Sequence, residues 1–299
     1  MHSVTILLPV RIDNQDRIDN FQTCLRYLTT HFPHSEILVV EDDAESQCDA
    51  ICRKYNVTYH HRKNSGRFSR SMVINTGLLL ASNDYFVVYD IDVLIDASLI
   101  SRAVKIIERS SLHIVLPHNS IFINVKGTLK ARVSETLDIG IVPPVYSLFP
   151  PRKRAKMEAY CILSGVVIFR TSTLKEIGGY SKKMISYGWE DIEVLKRAAK
   201  LGFYYFSLPT GNVIHLDHAR GKDSTQGEFY ELNKREFLKI SSMNVNELVS
   251  YINHDLKFEE CSDLSLKRIQ SLTRFNRFHL VRLRFILNRF LIKLIAFKR

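Results

Sequence analysis

Two aspartates separated by one residue follow an apolar run in the first third of the chain. Asp90 and Asp92 come directly after Tyr85–Tyr89, a run typical of a buried strand. Acid pairs are common in solvated turns, but two carboxylates at the end of a buried strand can hold a hard divalent cation through oxygen ligands. Their position favours a metal site.

A second acidic pair begins a predicted helix. Glu190 and Asp191 follow Gly188 and Trp189 and lead into a helical pattern over residues 194–201. In the structural interpretation, acids are favoured at a helix N-terminus and the tryptophan packs in the core. In the functional one, one of the two carboxylates is a general base for a hydroxyl group. The indole face beside the acids suits a sugar ring.

Two histidines, His215 and His218, follow a short apolar run. His-x-x-His is a spacing found in metal sites, but the two rings point to opposite faces of a regular strand. Both reach one ion only if the chain turns between them, and the alternative is a structural or surface pair. The polar, glycine-containing residues 219–224 that follow are typical of a loop over a site.

The apolar pattern predicts the scaffold for these side chains. Strand-like runs that are apolar on both faces alternate with helical patterns, which predicts parallel pairing under a helical cover. The predicted strands are Val4–Val10, Glu36–Val40, Val57–His60 and Tyr85–Tyr89, and the predicted helices are Phe21–Thr30, Ala44–Tyr55 and Ser69–Leu80. The fold class is therefore an α/β open sheet.

Ligands of such sheets bind beyond the carboxyl ends of the strands. Arg11 follows the first predicted strand, and Glu41 and Asp42 follow the second. The sequence has no glycine-rich phosphate loop and no Walker-type lysine at these ends. Because an acidic edge repels phosphate unless a divalent cation mediates the contact, the strand ends indicate a metal together with a nucleotide.

The charge of the chain is concentrated at one end. The 299 residues contain 42 Lys or Arg and 31 Asp or Glu, but ten basic residues and no acidic ones lie within Ser265–Arg299. The body is therefore almost neutral, and 45% apolar against 24% charged residues excludes a disordered polyelectrolyte. A nucleic-acid-binding protein is one interpretation of the basic tail, but the balanced body argues against it.

The cysteines and apolar runs indicate the compartment. The five cysteines are an odd number without zinc-type pairing, so we expect reduced thiols. They are Cys24, Cys48, Cys52, Cys161 and Cys261. No signal-type segment precedes the first strand and no apolar run approaches the length of a membrane span. A cytoplasmic protein is predicted.

Five segments in order resemble those of a known enzyme class. The chain resembles the inverting GT-A glycosyltransferases over about Val4 to Leu238, most specifically the β-1,4-galactosyltransferase family and the related bacterial capsule and chondroitin-type polymerases. The matching segments are Phe68–Gly77, Tyr85–Ile95, Ser164–Val166 with Ile177–Tyr180, Gly188–Asp191 and His215–His218. The resemblance implies a GT-A domain over residues 1–243, with an open mixed sheet flanked by helices. A C-terminal helical extension would occupy residues 244–299.

The resemblance also implies roles for single residues. Asp92 and His218 would ligate Mn²⁺ (or Mg²⁺), with His215 as the less certain third ligand. Asp191 would be the catalytic base. The acceptor would contact Gly188, Trp189 and Glu190, and the donor would contact Arg11, Glu41, Asp42, Arg70, Asp90 and Gly165.

The sequence departs from the family pattern at three places. A doubled glycine before the Glu-Asp pair is reduced to Gly188-Trp189, and a Gly-Gly pair becomes Ser164-Gly165. Ile162 replaces a bulky tyrosine of the galactosyltransferases, which would leave room for an N-acetyl group on the sugar.

The function implied is metal-dependent, inverting transfer of a hexose or N-acetylhexosamine from a UDP-sugar to a glycan or lipid-linked acceptor. Bacterial surface polysaccharide synthesis would require this step. A sugar-phosphate nucleotidyltransferase is an alternative, but it usually needs a basic glycine-rich loop near the first strand, which the sequence lacks. We expect no nucleic-acid partner.

The C-terminal end has a pattern of its own. Residues 244–259 predict a helix, and residues 265–299 place leucine, isoleucine and phenylalanine on one side of a helical wheel and arginine and lysine on the other. A basic amphipathic helix of this kind binds an anionic membrane interface. The alternative is a helix docked on the catalytic domain. The first interpretation predicts a peripheral protein on the inner face of the cell membrane.

Overall fold

The structure is a computed structural model that describes residues 4–145, 153–154, 157–161, 163–186, 188–221, 228–258 and 260–272. Ile162 and the part of the basic tail beyond residue 272 lie outside this range. The predictions that rest on them therefore stay predictions.

Strands and helices alternate through the first half of the chain. The strands are β1 (Val4–Val10), β2 (Glu36–Asp43), β3 (Thr58–Lys63), β4 (Tyr85–Tyr89), β5 (Val93–Leu94), β6 (Ile114–Leu116) and β7 (Ile121–Val125). The helices between them are α1 (Gln15–His31), α2 (Asp49–Lys54), α3 (Arg70–Leu80), α4 (Ala97–Arg109) and α5 (Gly127–Thr136), followed by a 3₁₀ turn (Ile139–Ile141).

The second half is richer in helix. Its strands are β8 (Lys153–Arg154), β9 (Met157–Cys161), β10 (Val166–Arg170), β11 (Tyr205–Ser207) and β12 (Val213–Leu216). Its helices are α6 (Thr171–Glu176), α7 (Glu190–Lys200), α8 (Glu228–Ser242) and α9 (Val245–Tyr251), which continues as a π-helical turn (Ile252–Leu256). Residues 266–272 are also helical.

Within the described residues the strands form two sheets. The larger has seven strands in the order β11-β6-β10-β4-β1-β2-β3, and the smaller has five in the order β5-β12-β7-β9-β8. β1 pairs in parallel with β2 and β4, as predicted. β10 enters antiparallel between β4 and β6, which makes the sheet mixed. The prediction of an open mixed sheet flanked by helices is confirmed.

Two apolar cores lie on the two faces of the larger sheet. Along β1, Ile6 and Leu8 pack in one core and Leu7 packs in the other, because successive side chains of a strand point to opposite faces. The first core also holds residues of β5 and β12, such as Val93 and Ile214. The second holds the buried face of α7, including Val194.

Two predicted helices begin at other residues in the structure for identifiable reasons. α1 begins six residues before the predicted Phe21 because the side chain of Asn14 caps its first turn by accepting a hydrogen bond from the Arg17 N–H. α2 begins later than predicted because the carboxylate of Glu41 accepts the N–H groups of Gln47 and Cys48. These two backbone groups are therefore engaged outside a helix.

β2 is longer than predicted and runs through the acids that were placed after it. Asp42 and Asp43 pair in register with Arg62 and Lys63 of β3. Opposite charges on neighbouring strands favour this pairing. Hydrophobic periodicity carries no signal for such a charged extension.

The described C-terminal residues pack on the body of the protein. Asn244 forms a capping box with Glu247 at the start of α9. Further along, Ile269 is buried in the same core as α7, and Arg268 forms an ion pair with Glu176. The first turns of the predicted tail are thus docked, as one interpretation predicted, and a domain boundary at residue 243 stays a prediction. Within the described part of the chain, no helix is both long and apolar enough to cross a membrane.

His118 between β6 and β7 makes the stability of the fold depend on pH. Its Nδ1 accepts the Ser120 N–H and its Nε2 donates to the carbonyl of Val166, at 3.0 and 3.1 Å. Complete burial lowers the pKa of His118 to about 4, and the bond to Val166 only partly opposes that shift. A histidine held neutral stabilises the fold fully above its unfolded pKa of 6.5, and this contribution disappears as the pH falls through 4.

We therefore expect the wild-type protein to lose about 3 kcal/mol of unfolding free energy through this group between neutral pH and pH 4. The His118→Gln variant should start less stable at neutral pH but lose less on acidification. Urea denaturation across this pH range measures both. As a control, His34→Gln at an exposed position should retain the wild-type pH dependence. An equally steep loss in His118→Gln would contradict the assignment.

Candidate active site and metal centre

A cleft of about 440 Å³ opens at the carboxyl ends of β1 and β4. Ten of the thirteen predicted site residues line it, although they come from distant parts of the chain. These ten are Arg11, Arg70, Asp90, Asp92, Gly188, Trp189, Glu190, Asp191, His215 and His218. Glu41, Asp42 and Gly165 are not part of its lining.

Asp92, His215 and His218 form a group that can hold a metal ion. One ligand atom from each lies within 4.8 Å of the others. The predicted obstacle, two rings on opposite faces of a strand, does not arise because β12 ends at Leu216, between the two histidines. The Leu216 N–H donates to the carbonyl of Asp92 at 2.8 Å, which fixes the histidine turn beside the aspartate.

Hydrogen bonds set the tautomers of both histidines. Nδ1 of His215 lies 2.7 Å from Oδ1 of Asn124, whose amide nitrogen donates to Asp217. Since that oxygen only accepts, Nδ1 carries the proton and Nε2 is the metal-binding nitrogen. His218 donates from Nδ1 to the carbonyl of Ala219, which likewise leaves Nε2 toward the cluster. Outer contacts of this kind orient histidine ligands and raise their basicity.

The electrostatics of the cluster favour the ligand form of Asp92. Burial alone would raise the pKa of Asp92, but the hydrogen bond from His218 and the nearby His215 and Arg17 lower it well below its usual value. Burial lowers the pKa of His215, and Asp92 only partly opposes this shift. An ionised carboxylate and a neutral imidazole are the forms that bind a metal.

His218 differs from His215 because it contacts the carboxylate directly. Its Nε2 lies 3.0 Å from Oδ2 of Asp92. Burial opposes protonation, but this hydrogen bond outweighs burial and raises the pKa of His218. A metal bound at Nε2 would replace that proton.

The opposite wall of the cleft is organised around Arg70, the first residue of α3. Its guanidinium lies 2.8 Å from Oδ1 of Asp90 and 2.7 Å from Oδ1 of Asp191, with Glu190 at 3.8 Å. Burial would lower the pKa of Arg70, but these three carboxylates raise it. The arginine therefore remains charged and links the end of β4 to the start of α7.

The carboxylates around Arg70 are not equivalent. Burial, reinforced by Asp191, raises the pKa of Glu190 to about 7. Burial also raises the pKa of Asp90 to about 6, although Arg70 opposes the shift. Oε2 of Glu190 is buried and has no hydrogen-bond partner among the described residues. Its capacity to accept a hydrogen bond is therefore unused within the described part of the chain.

The start of α7 is held by contacts on several sides. Trp189 has a φ of 75° and turns the chain into the helix. The Tyr180 hydroxyl donates to Oδ1 of Asp191 at 3.2 Å. A fully buried ion pair between Arg197 and Glu193 ties the helix to the carbonyls of residues 177 and 179. Asp191 is therefore presented from a rigid helix terminus.

Trp189 fits both of its predicted interpretations. Its ring stacks on Phe237 of α8, with centroids 5.0 Å apart, and also contacts Tyr230 at 5.7 Å. The same residue lines the cleft. Its Nε1 is buried without a hydrogen-bond partner among the described residues. The indole thus packs in the protein and contributes to the cleft wall.

Three predicted donor residues lie behind the cleft wall. Glu41 and Asp42 are fully buried, and they accept hydrogen bonds from the Tyr59 hydroxyl of β3 and from the Ser69 N–H before α3, respectively. Gly165 has a φ of 87° and accepts the Asp90 N–H through its carbonyl at 2.8 Å. Their hydrogen bonds position neighbouring parts of the site. A direct contact of these three residues with a donor stays a prediction.

Arg11 lines the cleft and also holds the loop after β3. Its guanidinium donates to the carbonyls of Asp42, Asn64 and Gly66 at 2.7 to 2.9 Å. It also lies over the ring of Phe68, 5.9 Å from the centroid.

Some residues of the site were not predicted from the sequence. Arg17, in the first turn of α1, places Nη1 3.2 Å from Oδ2 of Asp92. It belongs to no motif and is 75 residues away in sequence, so no local signal indicated it. Asn124 could have been found, because it is the polar residue in the otherwise apolar strand Ile121–Val125. Tyr180 is the last residue of the segment Ile177–Tyr180, which matches the family pattern, but the sequence indicates no role for its hydroxyl.

The outer contact of His215 leads to a test of the metal centre. The Asn124→Leu variant should bind Mn²⁺ about 10- to 100-fold more weakly, because His215 loses the acceptor that orients its ring. Calorimetric titration of Mn²⁺ measures the affinity. Asn124→Asp keeps an oxygen opposite Nδ1 and should retain most of the affinity for Mn²⁺, although it also sets a carboxylate against Asp217. An equal loss in both variants would show that the side chain acts through packing alone.

Two family models match the chain. One, described as glycosyl transferase family 2, matches residues 12–175. The other, described as the N-terminal domain of galactosyltransferase, matches residues 147–219. Together they include all the predicted site residues except Arg11. A sequence search of curated proteins found no match.

Solved structures similar to the chain have the GT-A fold. Staphylococcus aureus TarS in complex with UDP-GlcNAc is 16% identical, with a TM-score of 0.53 over 84% of this chain and 72% of that one. GalNAc-T7 with UDP, GalNAc and Mn²⁺ is 11% identical, with a TM-score of 0.56 over 80% and 48%. Drosophila β1,4-galactosyltransferase 7 with xylobiose is 19% identical, with a TM-score of 0.47 over 78% and 80%.

Proposed function

The chain belongs to glycosyl transferase family 2, and from this premise we propose that it transfers a sugar from a UDP-sugar to an acceptor hydroxyl group with inversion. One observation carries the proposal. A candidate metal cluster and an acidic helix terminus lie in one cleft, and Arg70 connects the aspartate pair at the end of β4 to that terminus. Donor activation and acceptor deprotonation need such an arrangement.

The cluster fits a divalent metal. Asp92, His215 and His218 supply one carboxylate and two imidazoles, a mixed oxygen and nitrogen set that favours Mn²⁺ over Mg²⁺. A cation bound there would neutralise the negative charge that develops on the departing nucleoside diphosphate. GalNAc-T7, which shares the fold, was solved with UDP and Mn²⁺, and this supports the choice of metal.

The proposed base is Asp191. It lies in the first turn of α7, and the contacts from Arg70 and Tyr180 orient its carboxylate. In an inverting transfer it takes the proton of the acceptor hydroxyl group while the oxygen attacks the anomeric carbon from the face opposite the diphosphate. No covalent intermediate is needed.

The neighbours of Asp191 form the proposed acceptor side. Glu190 and Trp189 line the cleft, and Oε2 of the glutamate and Nε1 of the tryptophan have no hydrogen-bond partner among the described residues, which supports a role in holding a sugar hydroxyl. Gly188 has a φ of 101°, and a Cβ there would lie 2.7 Å from the ring of Tyr230. A side chain at this position would therefore displace an aromatic part of the wall.

The donor side follows from the other wall of the cleft. Arg70 and Asp90 line it and are proposed to contact the nucleotide, with Arg11 beside them. Glu41, Asp42 and Gly165 are proposed to hold these groups in place. We propose a hexose or N-acetylhexosamine donor and a glycan or lipid-linked acceptor, as in bacterial surface polysaccharide synthesis.

The test of this function is a panel of UDP-sugars with and without Mn²⁺. We expect at least one to be hydrolysed or transferred, and a chelator to stop the reaction. Asp191→Asn should lower turnover by about 10²- to 10⁴-fold, the usual value of a general base. UDP binding measured by calorimetry should change little. As a matched control, Glu190→Gln should act mainly on the KM of the acceptor, and near-normal turnover of Asp191→Asn would refute the assignment of the base.

We also propose that the basic tail binds an anionic membrane surface and so brings the enzyme to a lipid-linked acceptor. Polybasic attraction contributes about 1 kcal/mol per residue near such a surface, and eight of the ten basic residues lie beyond Leu272. The docked start of the tail is structural, since Ile269 is buried in the core.

A truncation after Leu272 separates membrane binding by the tail from the structural packing of its first residues. It should abolish co-sedimentation with vesicles containing phosphatidylglycerol and leave the unfolding temperature nearly unchanged. A truncation after Leu264 should also destabilise the fold, because it removes Ile269. Unchanged co-sedimentation of the variant that ends at Leu272 would show that the tail is not the membrane-binding element.

A further inference from the structure

Arg17 occupies an unusual place beside the metal cluster. Its Nη1 lies 3.2 Å from Oδ2 of Asp92 and 3.4 Å from Nε2 of His218. Its side chain is only 18% exposed, and it lines the cleft. Its backbone is fixed by the Asn14 cap at the start of α1. A rigid element therefore brings a permanent positive charge to the two atoms that would ligate a cation.

A metal ion and this guanidinium cannot share the position. Ligands of a divalent ion of this kind lie about 2.0 to 2.2 Å from it. Nη1 already lies within 3.4 Å of both ligand atoms, so an ion bound to both would stand close to the guanidinium. Two cations at such a distance repel each other strongly in a low-dielectric cleft. Metal binding therefore disfavours the position that Arg17 occupies.

The chain offers Arg17 a weak alternative partner. Oδ1 of Asp13 lies 3.9 Å from its Nε, beyond hydrogen-bonding distance. The donor brings a stronger one, because the diphosphate of a UDP-sugar would lie against the metal in the same cleft. Arginine binds phosphate oxygens in a bidentate manner that few other groups match.

We propose that Arg17 is an exchangeable counterion that holds Asp92 in the metal-free protein and binds the donor diphosphate once a metal has displaced it. The second half of this proposal rests on the proposed function, and the first half does not. Metal alone must compete with the arginine, whereas metal and diphosphate together give it a new partner. Binding of the two is thus positively coupled, and by linkage each raises the affinity of the other.

Two titrations on purified full-length protein test the proposal. In Arg17→Gln, Mn²⁺ alone should bind about tenfold more tightly than in wild type, measured by electron paramagnetic resonance of the free ion. UDP should bind about tenfold more weakly at saturating Mn²⁺, measured by calorimetry. The opposite signs separate this role from general damage to the site, which would weaken both.

Two further variants control for charge. Arg53→Gln removes the same charge from an exposed pair with Asp49 on α2 and should leave both affinities unchanged. Arg17→Lys keeps the charge but loses the bidentate geometry, so Mn²⁺ should bind as in wild type and UDP should bind more weakly. Tighter Mn²⁺ binding in Arg17→Lys would contradict competition between charges.

The outcomes are separable. If Mn²⁺ alone binds Arg17→Gln no more tightly than wild type, the counterion role is overturned. If Mn²⁺ binds more tightly but UDP affinity is unchanged, the transfer to diphosphate is overturned. If wild type binds Mn²⁺ but no UDP, the proposed function fails, and the Mn²⁺ titration still decides the competition.

Discussion

The candidate site depends on a concentration of negative charge that the protein itself must neutralise. Five carboxylates line one cleft, and the Arg70 guanidinium contacts three of them. Without it, the end of β4 and the start of α7 would repel each other across a poorly solvated space. Arg70 is the first residue of α3, so this helix holds it in place. One cation therefore allows two acidic elements to face each other.

Within this arrangement the surroundings give similar groups different chemistry. Asp92 is kept ionised by its neighbours, whereas burial moves Glu190 toward its neutral form. Environments that separate the pKa values of neighbouring carboxylates are typical of sites that bind a cation and move a proton. The surroundings also set the histidine tautomers, because an oxygen accepts a hydrogen bond from each Nδ1–H.

The parts that sequence reasoning predicted are those with a local physical signal. β4 and the Asp90-x-Asp92 pair follow from a buried apolar run, and the α7 terminus follows from its acids and helical pattern. What it missed depends on distant contacts. Arg17 meets Asp92 through the packing of α1 against the sheet, which no spacing records. Glu41 is predicted to contact the donor, and the sequence carries no signal for its buried hydrogen bonds to the loop that follows β2.

The two apolar cores on opposite faces of the sheet have an evolutionary consequence. The strands β5 and β12, which lie next to the candidate metal ligands, pack in one core, and α7, which begins with Glu190, packs in the other. Substitutions in separate cores add nearly independently in their effect on stability. A lineage could therefore diversify the proposed acceptor wall through the second core while the candidate cation site stays intact. Such modularity would let one scaffold generate many sugar linkages by gradual change.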